Sequence, residues 1–253
     1  MNNIVTGLAA VMDGLSLVRQ RGLRRFVAIP ILINLVVFIT LGWWLVGQFE
    51  SWLESLSWLE RWADVWLVGG IITVLQWLFG IVLLVIAFYT FTVIANLIGA
   101  PFNALLAEKV EAHLRAGATA SQPVDWWALV RSVPGSIINE ASKLLYMIKW
   151  LIPLGILYLI PGLQILAAPL TLLFGAWMLA VEYMDYPMGN HGMNFRSVRA
   201  QLKSRRASSL GFGAGVTLLT LVPVLNLVAM PVAVAAATSL WVKQNQQSPD
   251  RNE

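Results

Sequence analysis

From Val65 to Ala107 the chain carries no charged residue, and a soluble fold has no means of covering such a stretch. A helix rises 1.5 Å per residue, so about 20 apolar residues cross roughly 30 Å of hydrocarbon. The uncharged run is too long for one span, and Pro101 divides it. Proline suits the first turn of a helix. A span is therefore predicted from about Trp66 to Ile98, followed by a new amphipathic helix from Pro101 that carries Glu108, Lys109, Glu111 and Arg115 out of the bilayer. A second uncharged run, Phe26–Gly47, has the length of one more span. Composition agrees, with 58% hydrophobic and 12% charged residues, against roughly 45–50% and about 25% in an ordinary globular chain.

The second half is interrupted. Leu144–Ile160 contains Lys149 and Pro153, Pro161-Gly162 follows, and Leu163–Val181 resumes; later, Leu210–Val222 is closed by Pro223 before Val224–Val242. Segments this short fit re-entrant hairpins that enter the bilayer and return, with polar backbone at each tip buried in protein or facing water. The two hairpins resemble each other. Leu159–Pro169 (LIPGLQILAAP) and Leu221–Pro231 (LVPVLNLVAMP) align at a constant offset of 62 residues, matching Pro161 with Pro223, Pro169 with Pro231, and Gln164 with Asn226. Paired Pro-interrupted segments are a mark of transporter repeats. The predicted fold is thus an all-α integral membrane protein, a single membrane domain over 1–253. It has two long transmembrane helices (26–47 and 66–98), cytoplasmic-side amphipathic helices (101–149), two re-entrant (hemipenetrating) helical hairpins (150–181 and 210–242) and a polar tail (243–253).

Charge sets an orientation. In this topology sixteen of the seventeen Lys and Arg residues share one side, and the opposite loop holds only Arg61 beside Glu50, Glu54, Glu60 and Asp64. The basic side, with both termini, is cytoplasmic by the positive-inside rule; a six-span topology would keep the same loops inside. Trp43, Trp44, Trp52, Trp58, Trp62 and Trp66 around the acidic loop, and Trp126 and Trp127, suit headgroup-depth belts. Ile4, Leu8, Met12 and Leu15 recur at helical spacing, as in a helix lying on the membrane surface or one packed against the protein. No basic region precedes this stretch, unlike a cleavable signal peptide.

Few residue types could carry chemistry. There are no cysteines and two histidines, His113 and His191, far apart in sequence. No phosphate-cradling glycine loop, nucleophile elbow or metal spacing occurs, and an Asp185–His191 pair would have no nucleophile to serve. Neither an enzyme nor a cofactor or metal protein is indicated, and the basic balance (pI near 9.6) belongs to membrane flanks rather than to nucleic acid. The strongest local feature is RGLRRF, Arg21–Phe26. A glycine and paired arginines at a helix start combine open backbone N–H groups, the positive end of a dipole and guanidinium forks, which suits a tetrahedral oxyanion. The same arginines, with Arg19, also suit anchors on lipid phosphates. Asn103, beside Pro101, and Glu108, Glu111 and Arg115 are candidates for an ion path or proton coupling; Glu111 and Arg115 also have the spacing of a surface ion pair. Arg196, Arg199, Lys203, Arg205 and Arg206 form a basic face suited to anionic lipid.

The sequences RGLRRFVAIPILIN, IGAPFNALLAE, the Asp185–Pro187 triplet with Asn190–His191, and the Pro223–Asn226 and Met230–Val234 segments resemble the bacterial sulfate permease CysZ family. The likeness runs from about Leu15 to Val242. It implies sulfate uptake across the inner membrane for assimilation into cysteine, with two long helices and two hemipenetrating hairpins. It further implies a sulfate site at Gly22, Leu23, Arg24 and Arg25, and a homo-oligomer, at least a dimer, among membrane lipids. Sulfite and related oxyanions are additional expected ligands. A non-transporting membrane scaffold and a membrane enzyme without recognisable motif are the readings from other classes.

Overall fold

The computed structural model describes residues 3–55, 66–116 and 126–246. Among the described residues the chain is helical throughout: α1 (Ile4–Leu17), α2 (Arg24–Ser55), α3 (Trp66–Ala116), α4 (Trp126–Leu159), α5 (Gln164–Asn190), α6 (Phe195–Ser204), α7 (Arg206–Leu221) and α8 (Pro223–Gln246). The acidic loop around Arg61, with Glu60, Asp64, Trp58 and Trp62, and the tail beyond residue 246 lie outside the described residues. The chain gathers into two compact units: Met1–Val27 with Pro101–Glu253, and Ala28–Ala100.

Helix boundaries follow local chemistry. Asn3 starts α1 by accepting the Thr6 N–H at 3.2 Å, and Asn194 starts α6 by accepting the Ser197 N–H at 3.0 Å, each satisfying a donor left open at a helix end. Gly162, at φ +87°, makes the turn between α4 and α5, and Gly192, at φ +74°, follows α5. Pro223 opens α8, where its missing N–H costs no bond. Both predicted chain breaks in the second half, at Pro161-Gly162 and at Pro223, are therefore real. The predicted break at Pro101 is not: α3 runs through it as one helix. A transmembrane helix tolerates proline because neighbouring groups re-satisfy the freed carbonyl.

The Ala28–Ala100 unit consists of most of α2 and the first part of α3. Its side chains are apolar at every angle around the axis, and Val36, Phe38, Val74, Leu84 and Phe88 are all more than half exposed or nearly so, as expected of helices whose solvent is lipid. Phe38 and Phe91 meet edge to face at 5.0 Å. Thr73 donates its hydroxyl to the Gly69 carbonyl at 3.0 Å, satisfying its own polar group within the helix.

The other unit has a true core. α1 packs on α7 and α8, and α5 packs on the same two helices. Contact is close because the facing residues are small. A Cβ placed on Gly7 would fall on the Ser208 carbonyl, one on Gly211 on that of Ile4, and one on Gly213 on that of Ala176. Backbones this close are the usual solution where lipid removes any hydrophobic drive between helices. α8 is the central post, buried on all sides from Pro231 to Val242. α1 is a packed helix whose buried face is Gly7, Ala10, Val11, Gly14 and Leu17. The stripe noted in the sequence faces outward, with Ile4, Leu8 and Met12 exposed.

Four helices contain stretches long and apolar enough to cross a membrane: Arg24–Phe49, Gly69–Phe91, Ile138–Leu159 and Gln164–Asn190. The first two are the long spans read from the sequence, and the second two are the arms of the α4–α5 hairpin. α4 carries a charged residue, Lys143, that is neutralised by partners. α7 is different, for its 16 residues rise only about 24 Å.

Candidate functional site

The loop joining α1 to α2 holds the first group of site residues. After α1 the chain makes short turns, with Gln20 N–H bonded to Leu17 O at 3.0 Å and Gln20 O accepting from both Leu23 N–H (3.2 Å) and Arg24 N–H (3.3 Å). Gly22 stands at φ +99°, a conformation that L side chains rarely adopt. The turn drives Leu23 into the core, where it is fully buried, while Arg21, Gly22, Arg24 and Arg25 stay exposed. The backbone N–H groups of Arg21, Gly22 and Arg25 have no hydrogen-bond partner among the described residues. Arg25 lies over the Phe26 ring at 5.0 Å. Among the described residues none of Arg19, Arg21, Arg24 and Arg25 pairs with a carboxylate; the nearby Asp13 is engaged by Lys243 at 2.6 Å. The result is an exposed cationic loop with N–H donors at a helix start, a setting that stabilises anions.

The second group lies on the last turns of α3. Asn103 is buried, beside Tyr186 of α5. Glu108 is exposed and pairs with Lys109 at 3.3 Å. Glu111 is buried; it accepts from Arg115 at 2.7 Å and from His191 Nε2 at 2.9 Å. So the Glu111–Arg115 pair forms, but it is more than a surface pair. His191 stacks on Trp241 at 4.4 Å and Arg115 lies over the same indole at 5.6 Å. Four side chains from α3, the end of α5 and α8 close into one cluster. The end of α5 is held there a second time, by Asn190 donating to the Ala104 carbonyl at 2.9 Å. Asn103 Nδ2 and Trp241 Nε1 are buried donors without a well-aligned acceptor among the described residues, the Asn103 amide lying against the Tyr186 hydroxyl. An open buried donor costs about 1–3 kcal/mol, and both are suited to an anion. No hydrogen bond or ion pair among the described residues joins this cluster to the arginine loop.

Sequence spacing missed two features. His191 meets Glu111, not Asp185, because α5 ends at Asn190 and the chain turns at Gly192. Asp185 instead meets Lys143, a buried lysine also bound by Glu140 at 2.6 Å and Glu182 at 3.0 Å, with Asp185 at 3.1 Å. The available signal was Glu182 and Asp185 one helical turn apart in an otherwise apolar helix, since charges at such positions are retained only with a partner.

Comparison with known proteins places this architecture. Sulfate transporter CysZ of Pseudomonas syringae pv. tomato is 44% identical over 242 residues, covering 95% of this chain and 93% of that protein. Sulfate transporter CysZ of Pseudomonas aeruginosa is 41% identical, covering 92% of each. That of Salmonella typhimurium is 41% identical, covering 94% and 92%. Residues 10–231 match the family described as sulfate transporter CysZ/etoposide-induced protein 2.4. With the arginine loop and, Trp241 apart, the α3 cluster inside the matched region, the chain belongs to that family.

Proposed function

We propose that this protein is a sulfate uptake permease of a bacterial inner membrane, supplying sulfate for assimilation into cysteine, and that Gly22, Leu23, Arg24 and Arg25 bind the sulfate. The observation that carries the site is the loop's uncompensated charge: four arginines between Arg19 and Arg25, none paired with a carboxylate among the described residues, beside three open N–H donors. Sulfate is a dianion, so its capture needs cationic forks or clustered N–H groups, and both are present on one turn. Leu23 holds the loop to the core; Arg24 and Arg25 supply charge; Gly22 supplies the backbone shape.

A dianion without countercharge is costly in hydrocarbon, so the route beyond the loop is lined by donors. Asn103, Arg115 and the Trp241 indole N–H are the groups we assign to it, with Glu111 and His191 fixing Arg115 in place. Glu108, exposed and bound to a neighbour, has no part in the path. The basic loops and both termini lie on the cytoplasmic side, the turns of the α4–α5 and α7–α8 hairpins dip into the bilayer, and the working form is at least a dimer among membrane lipids. Sulfite and related oxyanions compete for the same loop, because the donors recognise oxygen and charge rather than the sulfur.

Radiolabelled sulfate uptake into liposomes tests the reading, comparing the unmodified protein with Arg24→Ala/Arg25→Ala. Uptake above empty liposomes that falls at least tenfold in the double variant supports permease and site together. Uptake unchanged in the variant returns those arginines to lipid anchoring. No uptake from folded, inserted protein removes the permease.

A further inference from the structure

We propose that the junction of α4, α5 and α6 is a binding site for the phosphodiester headgroup of an anionic phospholipid. The inference rests on membrane embedding and not on sulfate transport. Between Tyr186 and Ser248 the chain has no acidic residue, and the carboxylates of the adjoining helices, Glu140, Glu182 and Asp185, are engaged by Lys143, while α6 and its C-terminal end carry Arg196, Arg199, Lys203, Arg205 and Arg206. Phe195, Val198 and Leu202 are buried, which fixes the rotation of α6 and leaves Arg196 and Lys203, two turns apart, on its exposed side.

Arg199 is held by rings. Its guanidinium carbon lies 4.9 Å from the centroid of Tyr146 and 5.5 Å from that of Phe195, and it pairs with no carboxylate among the described residues. A guanidinium laid on ring faces is fixed in place while its in-plane N–H edges stay open, the geometry that recognises phosphate oxygens. The two rings belong to a chain of aromatics running from α6 across α4 to α5: Tyr146 meets Phe195 at 5.7 Å and Trp150 at 6.5 Å, and Trp150 meets Phe174 at 6.3 Å. Such residues gather at headgroup depth. Along α4 beyond these rings, Ile152, Ile156 and Leu159 are exposed. Basic, aromatic and aliphatic zones thus succeed one another in the order of headgroup, glycerol and acyl chain. A small soluble anion would engage the first zone alone; the other two commit the site to a lipid.

The test uses the full protein, delipidated in detergent and titrated with phosphatidylglycerol or phosphatidylcholine, with bound lipid counted by native mass spectrometry and stability followed by thermal melting. Phosphatidylglycerol should be retained and raise the melting temperature, and phosphatidylcholine should do neither. Arg196→Gln, at a residue with no polar contact among the described residues, should weaken phosphatidylglycerol binding about fivefold, the effect of one basic residue near an anionic surface. Arg199→Gln should weaken it at least as much, and Lys243→Gln, remote in the chain and paired with Asp13, should not. Equal retention of both lipids, or affinity unmoved in Arg196→Gln, overturns the proposal. So does inorganic phosphate that stabilises the protein as phosphatidylglycerol does through Arg199, which would make this a small-anion site.

Discussion

The Ala28–Ala100 unit and the remainder of the chain meet lipid with opposite designs. In the first, large aliphatic and aromatic side chains project at every angle, so residues such as Trp77 (73% exposed) and Leu84 (71%) turn most of their surface outward. In the second, glycines and alanines let α1, α7 and α8 meet backbone to backbone, and buried charges such as Lys143 and Glu111 are tied in clusters. Both contain helices apolar enough to cross a membrane, so apolarity alone cannot be what separates them. What differs is residue size and the satisfaction of polar groups, which in lipid decide whether a helix has a partner.

Paired substitutions can break or sharpen that contrast. The largest effect is expected at the close contacts: Gly213→Leu drives a side chain into the Ala176 backbone and should cost at least about 3 kcal/mol, read as loss of a monodisperse peak or of the thermal transition. Gly70→Leu, with nothing within 4 Å, should leave the melting temperature unchanged or slightly raised. Next comes the buried lysine. Lys143→Met leaves three carboxylates facing one another, and with those groups partly exposed the loss should be about 2 kcal/mol; Lys149→Met, exposed on the same helix, should sit within about 0.5 kcal/mol of the parent. A smaller stability change, about 1–2 kcal/mol, is expected for Glu111→Gln, which weakens the bonds to Arg115 and His191, and sulfate uptake should fall severalfold. Glu108→Gln should leave both readouts alone. Smallest of all, Leu84→Ile on α3 should move the melting temperature within measurement error; a clear drop would show that this exposed face is covered in the assembled protein.

Much of this was legible in the sequence, for identifiable reasons. Uncharged runs announce membrane helices because hydrocarbon penalises every charge alike, and Pro161-Gly162 and Pro223 announce turns because they act on the backbone locally. Pro101 misled, because α3 continues through it and a membrane helix tolerates a proline that would end a helix in water. The arginine loop was found because glycine and arginine side by side is an uncommon pairing of shape and charge. Partners across helices could not be found: that His191 reaches Glu111 over 80 residues, or Lys143 reaches Glu182 over 39, depends on the rotation and register of whole helices, which no short window contains. Even the repeat hid a difference, since Pro169 is exposed and Pro231 buried at matching positions.

Leu23, fully buried between exposed Gly22 and Arg24, acts as a rivet through the middle of the charged turn. Its burial fixes the backbone of the turn during folding, so in the proposed role that share of the ordering entropy is not lost again at each encounter with an anion. A loop arranged in advance can hold its ligand through many weak, simultaneous bonds and release it without rearranging. That suits a protein whose cargo must leave as readily as it arrives.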